Sequence, residues 1–219
     1  MTIDAILDMA PVIPVLVVDG SHDPAALAAT LVEAGLPVIE VTLRTASALG
    51  AIRAMAEVPG AVVGAGTVLD DRQLDQALGA GARFIVSPGL TDKLAQAVKD
   101  VPFLPGVATA GEIMRGRDLG LASFKFFPAE AAGGIAALKA LSAPFAGTRF
   151  CPTGGITAET VAAWLALDCV ACVGGSWVVP GGATLEQVGE LARAAAALSG
   201  SSGGDPGRRS RRPLRGRGR

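Results

Sequence analysis

The sequence is poor in the side chains that most often carry polar chemistry. Its 219 residues include one histidine, His22, and three cysteines. A single histidine excludes a multi-histidine zinc site, and we expect no metal ion and no other cofactor. The G-x-S-x-G turn of the serine hydrolases is also missing, which argues against a Ser–His catalytic pair. The cysteines are odd in number and fall on strand-like segments, which predicts buried free thiols in a reducing compartment.

Long apolar runs are missing as well. No segment reaches the roughly 18 apolar residues that a membrane span requires. The N-terminus also lacks the basic and then apolar order of a secretion signal. We therefore expect a cytoplasmic protein that has no membrane partner.

Charge is divided unequally along the chain, whose net charge is −1. Residues 200–219 contain seven arginines and one acid, a net charge of +6, which leaves −7 for residues 1–199. We predict one domain over residues 1–199 and a disordered arginine- and glycine-rich tail over residues 200–219. The acidic domain argues against nucleic acid as a partner, and a solvated tail is favoured over an electrostatic arm.

Short apolar segments alternate with alanine-rich helical segments about every 25 residues, which predicts βα units and a parallel sheet. The strands are predicted at Val12–Val18, Val38–Leu43, Ala61–Thr67, Phe84–Ser87, Phe103–Val107, Ser123–Phe127, Arg149–Pro152 and Val170–Val173. The helices are predicted near residues 23–34, 47–57, 70–79, 91–100, 110–119, 133–142, 157–166 and 183–198, with a short extra helix over residues 3–9.

Eight βα units in a domain of this size are typical of a (β/α)8 TIM barrel. The alternative is a doubly wound open sheet, which carries a glycine-rich fingerprint after its first strand. The corresponding segment, Asp19-Gly20-Ser21-His22, has no such fingerprint. We therefore predict a barrel whose bottom is closed by the short N-terminal helix.

Charged residues fall on the inward face of two predicted strands. In the second strand, the period of two turns Glu40 and Arg44 inward, with Arg44 at the C-terminal mouth. In the sixth strand the same period turns Lys125 and Phe127 inward. Because barrel enzymes keep their active sites at this mouth, a catalytic arrangement is favoured over a structural ion pair.

Lys125 lies among three phenylalanines, at positions 124, 126 and 127. Burial of an ammonium group is costly. A lysine taken out of water loses its proton more easily and becomes a nucleophile that forms a Schiff base with a carbonyl substrate. The alternative is a lysine whose stem packs on the rings while its head reaches water.

Two glycine pairs, Gly154-Gly155 and Gly174-Gly175, follow the seventh and eighth predicted strands. Barrels often bind phosphate with these two loops, through backbone N–H groups at the start of a helix. Ser176 adds a hydroxyl donor beside the second pair. The sequence therefore predicts a phosphate site at the mouth.

Six motifs join these features. They are Ile39-Glu40-Val41-Thr42-Leu43-Arg44-Thr45, Val63-Gly64-Ala65-Gly66-Thr67-Val68, Ser87-Pro88-Gly89-Leu90, Phe124-Lys125-Phe126-Phe127-Pro128-Ala129-Glu130, Arg149-Phe150-Cys151-Pro152-Thr153-Gly154-Gly155-Ile156 and Gly174-Gly175-Ser176-Trp177. With them the sequence resembles the family of 2-keto-3-deoxy-6-phosphogluconate (KDPG) and 4-hydroxy-2-oxoglutarate (KHG) aldolases, class I aldolases of the Entner–Doudoroff pathway. The resemblance leaves out the tail.

The resemblance implies a lyase that cleaves KDPG into pyruvate and D-glyceraldehyde 3-phosphate, with activity on KHG in some relatives and a homotrimeric assembly. It implies that Lys125 forms the Schiff base and that Glu40 is the general acid and base. It assigns the substrate carboxylate to Arg44 and Thr67, the middle hydroxyls to Thr153, the phosphate to Gly154, Gly155, Gly175 and Ser176, and the pyruvyl end to Pro88 and Phe127.

Two other interpretations stay open. A related barrel aldolase for the galactonate epimer would share Lys125, Glu40 and Arg44, and only turnover of both epimers would separate the two. The other is a phosphosugar-binding barrel without catalysis, recruited to nucleic acid through its tail. It is disfavoured because a binding protein has no need of a desolvated lysine.

Overall fold

The computed structural model describes residues 1–98 and 100–198. In that part of the chain the elements are α1 (Ile3–Leu7), β1 (Val12–Leu16), α2 (Pro24–Glu33), β2 (Val38–Thr42), α3 (Ala48–Ala56), β3 (Val62–Gly66), α4 (Asp71–Gly79), β4 (Phe84–Ser87), α5 (Asp92–Ala97), β5 (Phe103–Val107), α6 (Ala110–Asp118), β6 (Ser123–Phe126), α7 (Gly134–Ser142), β7 (Arg149–Pro152), α8 (Val161–Leu165), β8 (Val173–Gly175) and α9 (Leu185–Ala196). No helix within these residues has the length and apolarity to cross a bilayer. The tail predicted over residues 200–219 lies outside them.

The strands form one parallel sheet in the order β7-β6-β5-β4-β3-β2-β1-β8. Bridges from Phe150 to Val170 and from Thr153 to Gly174 bring the β8 end of the sheet back to β7. The two ends of the sheet therefore meet. The predicted (β/α)8 barrel is confirmed, and the open doubly wound sheet is excluded.

The eighth strand differs from its prediction, Val170–Val173. The regular ladder with β1 begins at Val173, opposite Val12. Val170 bridges Phe150 instead, and the next residue's N–H donates to the carbonyl of Phe150 at 2.9 Å. The sequence predicts this glycine pair in the loop after the strand, but both glycines are buried within β8, although glycine is depleted in strands.

Apolar side chains fill two separate layers. The outer layer, between the strands and the surrounding helices, includes Ile39, Val41 and Phe124. The inner layer lies inside the barrel and consists of Ile6, Leu7, Ile13, Val38, Val62, Phe84, Val86, Leu104, Cys151 and Cys172. Consecutive residues of one strand thus enter different layers, as the period of two requires.

The short helix α1 closes the bottom of the barrel, as predicted. Ser123 Oγ, at the start of β6, donates to Asp4 Oδ1 at 2.5 Å. Arg149, at the start of β7, forms ion pairs with Asp4 and Asp8. The hydrogen-bonded Asp8 carboxylate raises the pKa of the Arg149 guanidinium. These contacts hold α1 across the N-terminal ends of the strands.

The cysteines are free, as expected, although they differ in burial. Cys151 and Cys172 are buried in the inner layer, whereas Cys169 is only half-buried. The hydrogen bond with Cys151 raises the pKa of the Cys172 thiol, and burial raises it further. The thiol of Cys172 therefore stays protonated at neutral pH and packs as a small apolar group.

The inner layer leaves no room for a side chain at Gly64 of β3. A Cβ atom built there would lie 2.3 Å from Cζ of the buried Phe84 ring. We expect Gly64→Ala to lower the free energy of unfolding by about 1–3 kcal/mol through overpacking, measured by urea denaturation. Gly79→Ala in α4 is the control, because a Cβ atom there meets nothing within 4 Å. Equal stability of the two variants would contradict the packing described.

Candidate active site

An ion pair crosses the interior of the barrel. Nζ of Lys125, in β6, lies 2.9 Å from Oε1 and 3.2 Å from Oε2 of Glu40, in β2. The two side chains are 7% and 4% exposed. Because β2 and β6 stand on opposite sides of the ring of strands, these side chains meet across the space that the ring encloses.

Strand alternation turns both side chains inward. Phe124 and Phe126, on either side of Lys125, are fully buried in the outer layer. Ile39 and Val41 flank Glu40 in the same way. Successive residues point to opposite faces of a strand, so the residue between two outward apolar side chains must enter the barrel. The Lys125 side chain is thus buried, with its ammonium bound to Glu40. The alternative interpretation required the ammonium to reach water.

Gly66 of β3 makes room for the Glu40 carboxylate. A Cβ atom on Gly66 would lie 2.3 Å from Oε1 of Glu40, closer than real Cβ contacts. Sequence reasoning gave Gly66 no role. The available signal was its position two residues after Gly64, on the same face of a strand, because glycine inside a strand often marks the close approach of another group.

Phe127 lies beside the lysine at the mouth of the barrel, and Pro88 lies against the neighbouring strand β5. The ammonium of Lys125 is 5.5 Å from the centre of the half-buried Phe127 ring, a distance at which the ring face attracts a cation. Pro88 is exposed and follows β4. Its carbonyl oxygen would lie 2.1 Å from a Cβ atom on Gly106, which is the ladder partner of Lys125 in β5. The glycine therefore lets Pro88 approach β5, the strand next to that of the lysine.

Arg44 and Thr67 follow the C-terminal ends of β2 and β3. Arg44 is exposed in a turn. Thr67 has a φ of 59°, a left-handed conformation that is uncommon for a residue with a side chain. Its neighbour Val68 is held by a bond of 3.1 Å from its N–H to the carbonyl of Val86. Conformations of this kind often occur at functional sites, where the surroundings maintain them.

The loop after β7 has a backbone that suits glycine. Gly154 and Gly155 have φ values of 104° and 81°, which a residue with a side chain rarely adopts. The preceding Thr153 is buried and bridges Gly174 of β8. This bridge places the loop after β7 beside the loop after β8, where Ser176 is exposed.

The glycines of β8 have a packing role that sequence reasoning missed. A Cβ atom on Gly174 would lie 2.3 Å from Oγ1 of Thr153, and one on Gly175 would lie 2.0 Å from the ring of Trp177. Trp177 belongs to the last of the six motifs, but the sequence does not indicate a role for it. Its contact with Gly175 joins residues two apart across a bend, which periodicity does not indicate.

The structure thus brings Lys125 into contact with both Glu40 and Phe127. The other predicted site residues follow the C-terminal ends of strands or complete them, and so share the mouth of the barrel: Arg44, Thr67, Pro88, Thr153, Gly154, Gly155, Gly175 and Ser176. Within residues 1–98 and 100–198, no group of three or more histidine, cysteine or acidic side chains is placed to hold a metal ion. An enclosed amine in contact with a carboxylate is suited to covalent catalysis assisted by a general base.

Comparison with known proteins gives a consistent result. The sequence model of the "KDPG and KHG aldolase" family matches residues 3–194. The KHG/KDPG aldolase of Escherichia coli K12 is 49% identical over 199 residues, which cover 88% of this chain and 93% of that protein.

Two solved structures are also similar. The 2-keto-3-deoxy-6-phosphogluconate aldolase of Zymomonas mobilis ZM4, crystallised with 3-phosphoglycerate, has a TM-score of 0.89 and 51% identity, covering 91% of this chain and 97% of that one. The KDPG aldolase of Legionella pneumophila, with pyruvate captured at low pH as a covalent carbinolamine intermediate, has a TM-score of 0.87 and 43% identity, covering 90% and 99%.

Removing one partner of the buried ion pair leaves the other charge without compensation. We expect Lys125→Met to lower the free energy of unfolding by about 3–5 kcal/mol. Adding Glu40→Gln should recover part of this loss, because the amide carries no charge. Urea denaturation at neutral pH measures both variants.

Lys93→Met is the matched control for that measurement. The ion pair of Lys93 with Asp71 is at the surface, with side chains 76% and 53% exposed, and such pairs contribute little to stability. The control should unfold near the urea concentration of the parent protein. If Lys125→Met were as stable as Lys93→Met, the buried pair would not have the energetic role described.

Proposed function

The chain belongs to the KDPG and KHG aldolase family, and from this premise we propose that it cleaves KDPG through a Schiff base on Lys125. The products are pyruvate and D-glyceraldehyde 3-phosphate, and the enzyme is an aldehyde-lyase. The observation that carries the proposal is the 2.9 Å contact between Nζ of Lys125 and Glu40 inside the barrel. It supplies a nucleophile and a proton carrier within reach of one carbon atom.

Schiff-base formation begins with a proton transfer that this contact permits. Glu40 accepts a proton from Nζ of Lys125, and the freed amine attacks the C2 ketone of the substrate to give a carbinolamine. Glu40 then returns the proton to the carbinolamine hydroxyl, which leaves as water, and a protonated imine remains. The carbinolamine of pyruvate in the Legionella relative supports this course.

Cleavage uses the same two residues. The Glu40 carboxylate, directly or through one water, removes the proton of the C4 hydroxyl. The electron pair of the C3–C4 bond moves into the imine on Lys125, so glyceraldehyde 3-phosphate leaves and an enamine of pyruvate remains. Protonation at C3 and hydrolysis of the imine release pyruvate and regenerate the amine.

The carboxylate of the substrate lies next to C2 and needs a cation near Lys125 at the mouth. Arg44 meets this need, because its guanidinium group can donate two parallel hydrogen bonds to a carboxylate. Thr67 offers a hydroxyl donor at the end of the neighbouring strand. Backbone hydrogen bonds hold the residues on either side of it, from Leu43 N–H to the carbonyl of Gly66 and from Val68 N–H to the carbonyl of Val86. Pro88 and Phe127 bound the pyruvyl end between them.

The phosphate of the substrate fits the loops after β7 and β8. The backbone N–H groups of Gly154, Gly155 and Gly175, with the hydroxyl of Ser176, are donors of the kind that bind phosphate in barrels. Thr153 lies between these loops and the lysine strand, within reach of the middle hydroxyls. The Zymomonas relative was crystallised with a phosphorylated three-carbon acid, which supports a phosphorylated substrate.

KHG is a second candidate substrate. The family is named for both compounds, and the Escherichia coli relative carries both in its name. KHG has the same 2-oxo acid end and a hydroxyl at C4, so Lys125 and Glu40 would act on it in the same way. Its far end is a carboxylate, which the phosphate loops would bind less fully.

The assembly of the enzyme is predicted from the resemblance alone, and its location from the sequence features described above. We expect a homotrimer in the cytoplasm. Sedimentation equilibrium measures the first expectation directly, and a monomer at micromolar concentration would contradict it.

Borohydride reduction tests the Schiff base. With pyruvate present, reduction should add a pyruvate-derived group to one peptide, and mass spectrometry should place it on Lys125. Lys125→Ala should abolish the labelling, whereas Lys139→Ala, which removes an exposed helical lysine, should leave it intact. Labelling that survives in Lys125→Ala would overturn the assignment.

The acid/base role of Glu40 predicts a second result. Glu40→Gln keeps the shape of the side chain but cannot carry the proton, so kcat for KDPG cleavage should fall by about 10²–10⁴-fold while KM changes little. Steady-state kinetics measures both constants, with Glu57→Gln on the exposed surface as the control. A kcat within a few-fold of the parent enzyme would assign the proton transfers to another group.

A further inference from the structure

Glu130 touches none of the groups proposed to react, yet it joins the lysine strand to the glycine loop after β7. It lies four residues after the end of β6, in the segment that follows Lys125 along the chain. The N–H of Ala129 donates to the carbonyl of Thr153 at 2.8 Å, and the N–H of Glu130 donates to the carbonyl of Gly154 at 3.1 Å. Two backbone bonds thus attach the loop to this segment.

The side chain of Glu130 fixes the same loop from another direction. Its Oε1 accepts a hydrogen bond of 3.1 Å from Nε1 of Trp164 in α8. Trp164 is completely buried, so its ring is a fixed point. The Cβ and Cγ atoms of Glu130 would each lie 2.7 Å from a Cβ atom on Gly155. The glutamate stem therefore packs directly against the glycine backbone.

We propose that Glu130 is a positioning residue that holds Gly154 and Gly155 in place and thereby determines the preference of the enzyme for a phosphorylated substrate. The inference rests on the proposed function, which places the phosphate on these glycines. A backbone N–H group, unlike a side chain, cannot rotate to restore its hydrogen bond to a ligand when the loop shifts. A shift of a few tenths of an ångström is therefore enough to weaken their hydrogen bonds.

A carboxylate is an unexpected choice beside an anion site, because its charge repels a phosphate dianion. Its acceptor oxygen and its stem explain its presence, since these bind Trp164 and pack on Gly155. A glutamine has the same stem and an equivalent carbonyl oxygen. The inference therefore predicts that Glu130→Gln is tolerated and that Glu130→Ala is not.

The test compares KDPG with its unphosphorylated analogue, 2-keto-3-deoxygluconate, in the full-length enzyme. For Glu130→Ala, KM for KDPG should rise about tenfold, in line with the loss of one hydrogen bond and its packing, while kcat stays within about threefold. The kcat/KM for the unphosphorylated analogue should change by less than about twofold. Glu130→Gln should stay within about twofold of the parent enzyme for both substrates.

Trp164→Phe removes the N–H donor and supplies an independent arm. It should shift KM for KDPG in the same direction as Glu130→Ala. KM for KDPG in the double variant should be no higher than in the more impaired of the two single variants, because the effects of residues that act through one contact are not additive. If Glu130→Ala does not fold, Trp164→Phe and Glu130→Gln still decide the matter. Additive losses, or an equal loss in Glu130→Gln, would overturn the inference.

Two measurements separate a failure of this inference from a failure of the proposed function. Borohydride labelling of Lys125 with pyruvate should be the same in Glu130→Ala and in the parent enzyme. Inorganic phosphate should inhibit the parent enzyme in competition with KDPG. If the parent enzyme ignores phosphate and treats both substrates alike, the phosphate site itself is wrong. If the parent discriminates and Glu130→Ala discriminates equally, only the role of Glu130 is wrong.

Discussion

A lysine ammonium and a glutamate carboxylate, 2.9 Å apart and almost without exposure, form the centre of this barrel. A buried ion pair gains little net stability, because desolvation offsets most of the attraction. The fold nevertheless places the pair inside a closed ring of strands, with an apolar inner layer in the same interior and α1 closing the bottom. Apolar side chains thus fill much of the interior in which the reactive amine lies.

The neighbouring backbone adapts to this pair. Gly66 leaves space for the carboxylate, and Gly106 lets Pro88 approach β5, the strand next to that of the lysine. Thr67 adopts a left-handed conformation at the mouth. These positions all lie at or near the C-terminal ends of strands. The site therefore requires a missing side chain at two strand positions and a left-handed backbone at a third.

Local patterns in the sequence were enough to predict the barrel and the inward direction of Glu40 and Lys125, whereas Arg44, also predicted inward, is exposed in a turn after β2 ends at Thr42. A period of two decides which layer a residue enters, so Glu40 and Lys125 could be oriented without coordinates. The limits of the eighth strand could not be obtained in this way, because packing of Gly174 against Thr153 outweighs the low strand propensity of glycine. The contact of Gly66 with Glu40 and the contact of Glu130 with Trp164 were missed for a similar reason. Each joins distant parts of the chain that no local pattern relates.

The central claim is that the amine of Lys125 bonds to the C2 carbon of a 2-oxo acid while Glu40 stays within proton-transfer distance. A crystal structure of the enzyme soaked with pyruvate tests it most directly. The account predicts continuous electron density from Nζ of Lys125 to C2 of pyruvate. A carboxylate oxygen of Glu40 should lie about 2.6–3.2 Å from that Nζ atom, or be joined to it through one water. Pyruvate attached to another lysine, or bound without a covalent bond beside an unbroken Lys125–Glu40 pair, would contradict it.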